Sequence, residues 1–307
     1  MKLIHAARDL EPGQRKICLA IGVFDGVHLG HQQIIRQTVS DAQQSGAVAL
    51  VITFDRHPNA IVAPSRVPPL IYSGPQKQRA IEALGAEALL EIPFDREFSQ
   101  LTGEAFVRQL RRELGTIQSI CVGADFLFGH KRSGDVPLLR RLGRELQFQV
   151  HGLAAISLAG QIVSSTRIRK TIRAGHFEAA SQMLGRPYAI AGRVVHGDQL
   201  GHQIGFPTAN LDTTERLLPP QGVYAAAVQL GRQTLRAAVN IGIRPTLQQP
   251  DPGPRVEVHL LDFQGDLYGE ELEVTLVNKL RDEQRFASLE ILQAQIQRDV
   301  LAARAAF

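Results

Sequence analysis

Two histidines three residues apart lie in a glycine-rich run, Gly22-Val-Phe24-Asp25-Gly26-Val-His28-Leu-Gly30-His31. The run leaves an apolar stretch, residues 16–24, and enters a polar one carrying Ile34, Ile35 and Val39 at helical spacing. A strand that turns through glycine into a helix start offers bare N–H groups and the positive end of a helix dipole, a seat for an anion. His28 and His31 share one face of that helix start. Their ring N–H groups can donate to phosphate oxygens, which suits stabilisation of charge developing on a phosphoryl group. A metal site on His28, His31 and Asp25 is a competing reading, with no further ligand set beside it; a structural turn is another.

A second set of residues lies downstream. Gly197, Gly201 and Gly205 are spaced by four and lead into Phe206-Pro207-Thr208-Ala209-Asn210. A glycine loop lets backbone N–H groups approach phosphates. Thr208 and Asn210 are neutral oxygen ligands two apart, on one face of an extended strand. That suits Mg²⁺, which prefers few protein oxygens plus phosphates and water. A glycine-rich hairpin with a Thr/Asn turn fits the same letters. Glu257 lies between Val256 and Val258. It reads either as a base whose pKa burial would raise or as an outward-facing strand residue. Ser164-Ser165-Thr166-Arg167-Ile168-Arg169 sets hydroxyls and arginines at a helix start, where they can grip phosphates or simply cap the helix. In residues 122–129 (VGADFLFG), Asp125 can hydrogen-bond a ligand, while Phe126 and Phe128 can pack on a ring or on the core.

These segments resemble a known family. H-x-G-H is the nucleotidyltransferase signature, and the longer G-x-F-D-G-V-H-L-G-H resembles the N-terminal domain of bacterial bifunctional riboflavin kinase/FMN adenylyltransferases, the FAD synthetases. Residues 51–58 (VITFDRHP), 122–129 and 164–169 resemble further motifs of that domain, with Arg56 where the family usually has Pro and Val163 where it has Ile. Residues 205–211 (GFPTANL) resemble the P-T-A-N motif of riboflavin kinase. Gly222-Val-Tyr-Ala, residues 240–246, 257–263 and 266–269, and Lys279-Leu-Arg281 follow in the family's order. His202 stands where the family usually carries Arg or Lys. The likeness runs from about residue 15 to 303.

The resemblance implies a division of roles. Gly22, Phe24, Asp25, Gly26, His28 and His31 would bind ATP in the first domain, with Ser165, Thr166 and Arg169 on its triphosphate. His28, His31 and Arg169 would be catalytic there. Arg66, Asp125 and Phe128 would touch flavin. In the second domain Gly197, Gly201 and Gly205 would hold ATP, Thr208 and Asn210 would hold Mg²⁺-nucleotide, and Asn240 would face flavin. Glu257 would take the proton from the riboflavin 5′-hydroxyl.

The elements that must position these residues follow from pattern. Apolar runs near 16–24, 47–54, 87–92, 118–123 and 148–152 alternate with helical patterns near 30–45, 75–85, 103–114 and 135–147, then 166–184. Such alternation predicts parallel strands with helices on both faces, and the resemblance makes this domain Rossmann-like. After Gly185-Arg186-Pro187 come short β-rich runs, 188–195, 222–230, 234–241, 255–263 and 271–277. These predict a small antiparallel β-barrel, closed off by a terminal helix near 286–305 with Ser288 as its N-cap. The fold class is therefore α/β plus barrel, with domains 1–185 (adenylyltransferase) and 186–307 (riboflavin kinase).

Charge divides at the same place. Residues 1–186 hold 23 basic and 16 acidic residues, and residues 187–307 hold 11 and 14, or +7 against −3. Of 34 basic residues 28 are Arg, the side chain that forks onto phosphate. No G-x-G-x-x-G, Walker P-loop, G-x-S-x-G, H-E-x-x-H or C-x-x-C occurs. The longest apolar run, residues 47–54, is far short of a membrane span, and charges interrupt residues 1–11. Cys18 and Cys121 in apolar runs read as buried thiols. The expectation is a cytoplasmic enzyme acting on riboflavin, FMN and ATP with Mg²⁺, binding neither nucleic acid nor membrane, a monomer or weak homo-oligomer. A nucleotidyltransferase with another phosphorylated acceptor is one alternative. An RNA-binding protein is the other, weakened by 6% aromatic residues and no Trp.

Overall fold

The computed structural model describes all of the chain except residues 12, 14, 198–200, 202–203 and 244–253. Two of the sequence motifs touch those gaps: His202 and residues 244–246 lie outside the described residues. Contacts divide the chain into two units, residues 1–69 with 74–165, and residues 70–73 with 166–307. Apart from residues 70–73, the division falls between residues 165 and 166, upstream of residue 185, because residues 166–184 count with the second unit.

In the first unit, β1 (Lys2–Ile4), β2 (Ile17–Ile21), β3 (Val48–Phe54), β4 (Ala88–Ile92), β5 (Ile117–Gly123) and β6 (Gln149–Leu153) form a parallel sheet in the order β1-β4-β3-β2-β5-β6. Strand residues alternate between two cores. Leu19, Leu50 and Ile120 pack on one face with Phe106 and Leu110 of α4 (Gly103–Leu114) and Leu139 of α5 (Val136–Leu146). Ala20, Val51, Leu89 and Cys121 pack on the other with Ile34 and Ile35 of α1 (Leu29–Ser45) and Ile81 of α3 (Gly74–Glu82). A short α2 (Asn59–Val62) follows β3. Buried on both faces, the strands read as continuous apolar runs, as parallel strands do. Helix starts match their letters: the side chains of Thr102 and Asp135 accept from Ala105 N and Leu138 N, at 3.2 and 2.8 Å. Cys18 and Cys121 are buried free thiols, and burial pushes Cys121 up to about 12. The neighbouring Asp41 carboxylate accepts from Ser119 Oγ at 2.8 Å and faces His151 Nε2 at 3.3 Å.

A hairpin, β7 (Ser157–Leu158) with β8 (Gln161–Ile162), precedes α6 (Ser165–Arg173) and α7 (Phe177–Leu184). Gly185 ends α7 in the left-handed conformation, φ 70°. The second unit then closes a barrel from β9 (Ala189–Val195), β10 (Ala209–Asp212), β11 (Gly222–Leu230), β12 (Gln233–Gly242), β13 (Arg255–Leu260) and β14 (Glu271–Arg281), in the order β10-β13-β12-β11-β14-β9. Every neighbouring pair is antiparallel. Strand alternation sends Val239, Ile241, Val256 and Val258 inward, each 1% exposed or less. The terminal helix α8 (Leu289–Ala305) lies against the outside, Ala303 packing with Ala225 and Ala238. Ser288 Oγ accepts from Ile291 N at 3.4 Å, as the N-cap reading requires.

Among the described residues, no helix is long and apolar enough to cross a membrane.

Candidate active sites

The strand order reverses between β2 and β5, and loops at the carboxyl ends of such neighbouring strands form the ligand crevice of open α/β sheets. The Gly22–His31 loop follows β2, and the loop of Asp125, Phe126 and Phe128 follows β5. The first loop is tightly wound: Phe24, Gly26 and Val27 all have positive φ, 51°, 78° and 38°. A β-branched residue there is a backbone outlier, of a kind that costs of order 1–3 kcal/mol and concentrates at ligand sites. His28 is the N-cap of α1, its Nδ1 accepting from His31 N at 3.4 Å. An accepting Nδ1 leaves the proton on Nε2, which makes that atom the donor. The two imidazoles stack with centroids 3.6 Å apart, and Phe24 meets His31 edge-on at 5.3 Å.

Phe24 is wholly buried in the α1 core. Its ring meets His31, and its backbone is what the loop offers a ligand. Ser165 Oγ donates to Asp25 O at 3.1 Å, tying the start of α6 to the glycine loop. Arg169 is buried one turn further along α6 and Thr166 is exposed; both count with the second unit. Phe126 and Phe128 stack at 5.2 Å, and Phe128 packs on Phe106, so both serve the core at least in part. Asp125 and Arg66 are exposed on their loops. Arg56 forms an exposed ion pair with its neighbour Asp55, at 2.9 Å.

One cation near this crevice carried no signal in the sequence. Lys77 of α3 donates to Phe54 O at 3.1 Å, at the carboxyl end of β3. Burial holds its ammonium below the usual lysine range, against the pull of Glu91, Asp25 and Asp55. No group of three or more His, Cys, Asp or Glu side chains in metal-holding geometry exists among the described residues, so His28, His31 and Asp25 gain no metal site.

In the second unit, Asn210 of β10 and Asn240 of β12 flank Glu257 of β13, each in direct register with it. All three point away from the barrel interior. Glu257 is half-buried and shares nothing with the core valines on either side of it in sequence. Glu257 takes the outward-facing alternative, because strand alternation sends Val256 and Val258 to the opposite face. Glu257 and Asn240 instead line a cavity of about 880 Å³ between the barrel wall and α8. A second cavity, about 520 Å³, is lined by Pro207 and the turn Phe263–Tyr268. Thr208 lines both.

The glycines fit tightly around the two oxygen ligands. A Cβ on Gly197 would collide with the Asn210 side-chain amide, and one on Gly201 would lie 3.2 Å from Thr208 Oγ1. Neutral side-chain oxygens beside two positions that admit no Cβ suit a hard, hydrated divalent cation that arrives with phosphates.

The larger cavity is braced by one ion pair. Arg281 at the end of β14 donates from Nε and Nη2 to Asp299 of α8, at 3.0 and 2.8 Å. Gln295 Nε2 donates to the same carboxylate at 2.8 Å, and the Arg281 guanidinium lies 5.6 Å from the centre of the Phe286 ring. Asp299 is 6% exposed. Removing one partner of a buried pair strands the other, so Asp299→Ala is expected to destabilise the second unit by about 3 kcal/mol. Urea unfolding followed by far-UV circular dichroism checks this, with the barrel transition moving to lower urea.

Two family models match, in the order of the two sites: FAD synthetase over residues 10–167 and riboflavin kinase over residues 184–307. A bifunctional riboflavin kinase/FMN adenylyltransferase of Escherichia coli (strain K12) is 39% identical over 309 residues, covering 100% of this chain and 98% of that relative. The chain belongs to the bifunctional riboflavin kinase/FMN adenylyltransferase family. The family's Pseudomonas fluorescens member is also 39% identical, over 99% of this chain and 97% of its own. A crystal structure from Streptococcus pneumoniae titled a macrolide-efflux protein is 29% identical with TM-score 0.79, covering 98% of both chains. The family's two halves place flavin cofactor biosynthesis in one polypeptide, synthetase first and kinase second. A kinase and a nucleotidyltransferase of this family imply ATP with a divalent metal.

Proposed function

We propose that residues 186–307 transfer the γ-phosphoryl group of ATP to riboflavin, and that residues 1–185 join the FMN product to AMP. The observation that carries the kinase half is the Asn210–Glu257–Asn240 rung on the outer wall of the barrel, beside a cavity large enough for a flavin. Glu257 takes the proton as the 5′-oxygen attacks phosphorus, and ADP leaves. Riboflavin occupies the cavity that holds Glu257; the nucleotide approaches Thr208 from the smaller cavity. Thr208 and Asn210 would hold Mg²⁺, which would neutralise charge on the phosphates.

In the adenylyltransferase half, an FMN phosphate oxygen attacks the α-phosphorus of ATP and pyrophosphate leaves. That nucleophile is already ionised, so no strong base is required. His28 and His31 at the α1 N-terminus stabilise the charge that builds on the α-phosphoryl oxygens. Thr166 and Arg169 enter this reading through the S-S-T-x-I-R motif alone, and Gly22, Asp25 and Gly26 through their place in the wound loop. Arg66, Asp125 and Phe128 are assigned to flavin on the same basis. The enzyme works in the cytoplasm as a monomer or weak homo-oligomer.

Incubating the protein with riboflavin, ATP and Mg²⁺, with flavins separated by chromatography, tests both halves. FMN followed by FAD is expected. FMN alone would overturn the adenylyltransferase reading, and no conversion of either flavin would overturn both.

A further inference from the structure

His259 is the next outward-facing residue of β13 after Glu257, and its imidazole reaches the nucleotide-side loop. Its Nδ1 lies 2.8 Å from Pro207 O, and its ring meets Phe206 edge-on at 5.7 Å. A carbonyl oxygen can only accept, so Nδ1 carries the proton and donates it. Pro207 immediately precedes Thr208. The pyrrolidine ring fixes φ of Pro207, which leaves ψ as the soft dihedral between Phe206 and Thr208. A donor held on the Pro207 carbonyl oxygen pins that ψ. The loop is tied at its other side by Phe206 N donating to Gly201 O at 2.8 Å. The two ties leave Thr208 little freedom relative to β13.

We propose that His259 is a positioning residue of the kinase: by holding the Pro207 carbonyl it sets Thr208, and with it the metal-bound nucleotide, at a fixed distance from Glu257. The inference rests on the reading of Thr208 as a nucleotide-side ligand and goes further, since it gives the imidazole a role on ATP rather than on flavin. His259 also borders the cavity assigned to riboflavin, so the two roles are told apart by which substrate's binding weakens. Its loss frees the Pro207 carbonyl and leaves Asn240, Glu257 and Arg281, three further walls of that cavity, in place.

The test compares His259→Ala and His259→Asn in the full-length enzyme. Loss of one neutral hydrogen bond predicts KM for MgATP raised roughly three- to tenfold in His259→Ala. Riboflavin affinity, read by quenching of flavin fluorescence without nucleotide, is expected to fall by less than KM for MgATP rises, since Asn240, Glu257 and Arg281 still line the cavity. Asparagine places its Nδ2 near the imidazole Nδ1, so His259→Asn is expected to recover most of the loss. FAD formation from supplied FMN reports that both variants are folded. An unchanged KM for MgATP in an active His259→Ala kinase overturns the proposal, as does an Asn variant no better than Ala or an equal loss of riboflavin affinity. Failure of the underlying reading looks different: Thr208→Ala would then bind MgATP like the unmodified enzyme.

Discussion

Replacing His28 by Ala is expected to slow FAD formation from supplied FMN by about 10²–10³-fold, while FMN formation from riboflavin continues at its normal rate. The size follows from removing a donor aimed at charge that develops only in the transition state. His28 also caps α1 through Nδ1, so the substitution carries a structural cost of about 1 kcal/mol. His28→Asn separates the two effects, because its side-chain oxygen can accept from His31 N while the Nε2–H donor is gone. The Asn variant is therefore expected to regain stability and remain slow. Quenched-flow or chromatographic rates of FAD formation, set beside thermal unfolding, make the comparison. An Asn variant that recovers FAD synthesis would show that His28 matters only as a cap.

Glu257→Gln is expected to do the reverse. The amide keeps the volume and the place on β13 but cannot take the proton of the 5′-hydroxyl. General base catalysis contributes about 10²–10⁴-fold, and kcat for FMN formation is expected to fall within that range. FAD formation from supplied FMN is expected to be unchanged. Kinase turnover within about tenfold of the unmodified enzyme would remove Glu257 from the base role, since general bases contribute more than that. Loss of both reactions in either folded variant would mean that the halves do not divide the work as proposed.

The parallel sheet was legible because its strands are buried on both faces and their apolar runs are interrupted by glycine turns and capped helices. β3 was expected at 47–54 and is Val48–Phe54; α4 was expected at 103–114 and has those bounds. β1 was not legible: only Ile4 of its three residues is buried, and its place at the sheet edge comes from pairing with β4 rather than from its own pattern. β10 was not among the predicted strands because it is only four residues long, although Thr208 and Asn210 were read as lying on one extended face.

The sites divide along the same line. His28, His31, Thr208, Asn210 and Glu257 were visible because chemistry is written in side-chain type and spacing. Glu257 faces outward, one of the two readings its flanking valines allowed, because sequence neighbours in a strand point to opposite faces. His259 could have been found from its two-residue spacing with Glu257. Its partner could not, because a backbone carbonyl leaves no trace in residue identity. Lys77 and Asp299 went unread for a related reason: charged side chains look alike whether they end in solvent or against a buried partner.

The rung on β13 has a consequence for how this enzyme can change over time. Core and chemistry alternate along that strand, Val256 and Val258 inward and Glu257 and His259 outward. Substitutions at one set leave the other untouched, so barrel packing and the outward-facing side chains can drift separately. Deleting a single residue from β13 ahead of Glu257 has no such latitude. It would turn every later side chain through the wall, placing a carboxylate and an imidazole in the core and two valines in the cavity beside α8. Lineages of this strand are expected to tolerate many changes of letter and almost no change of length.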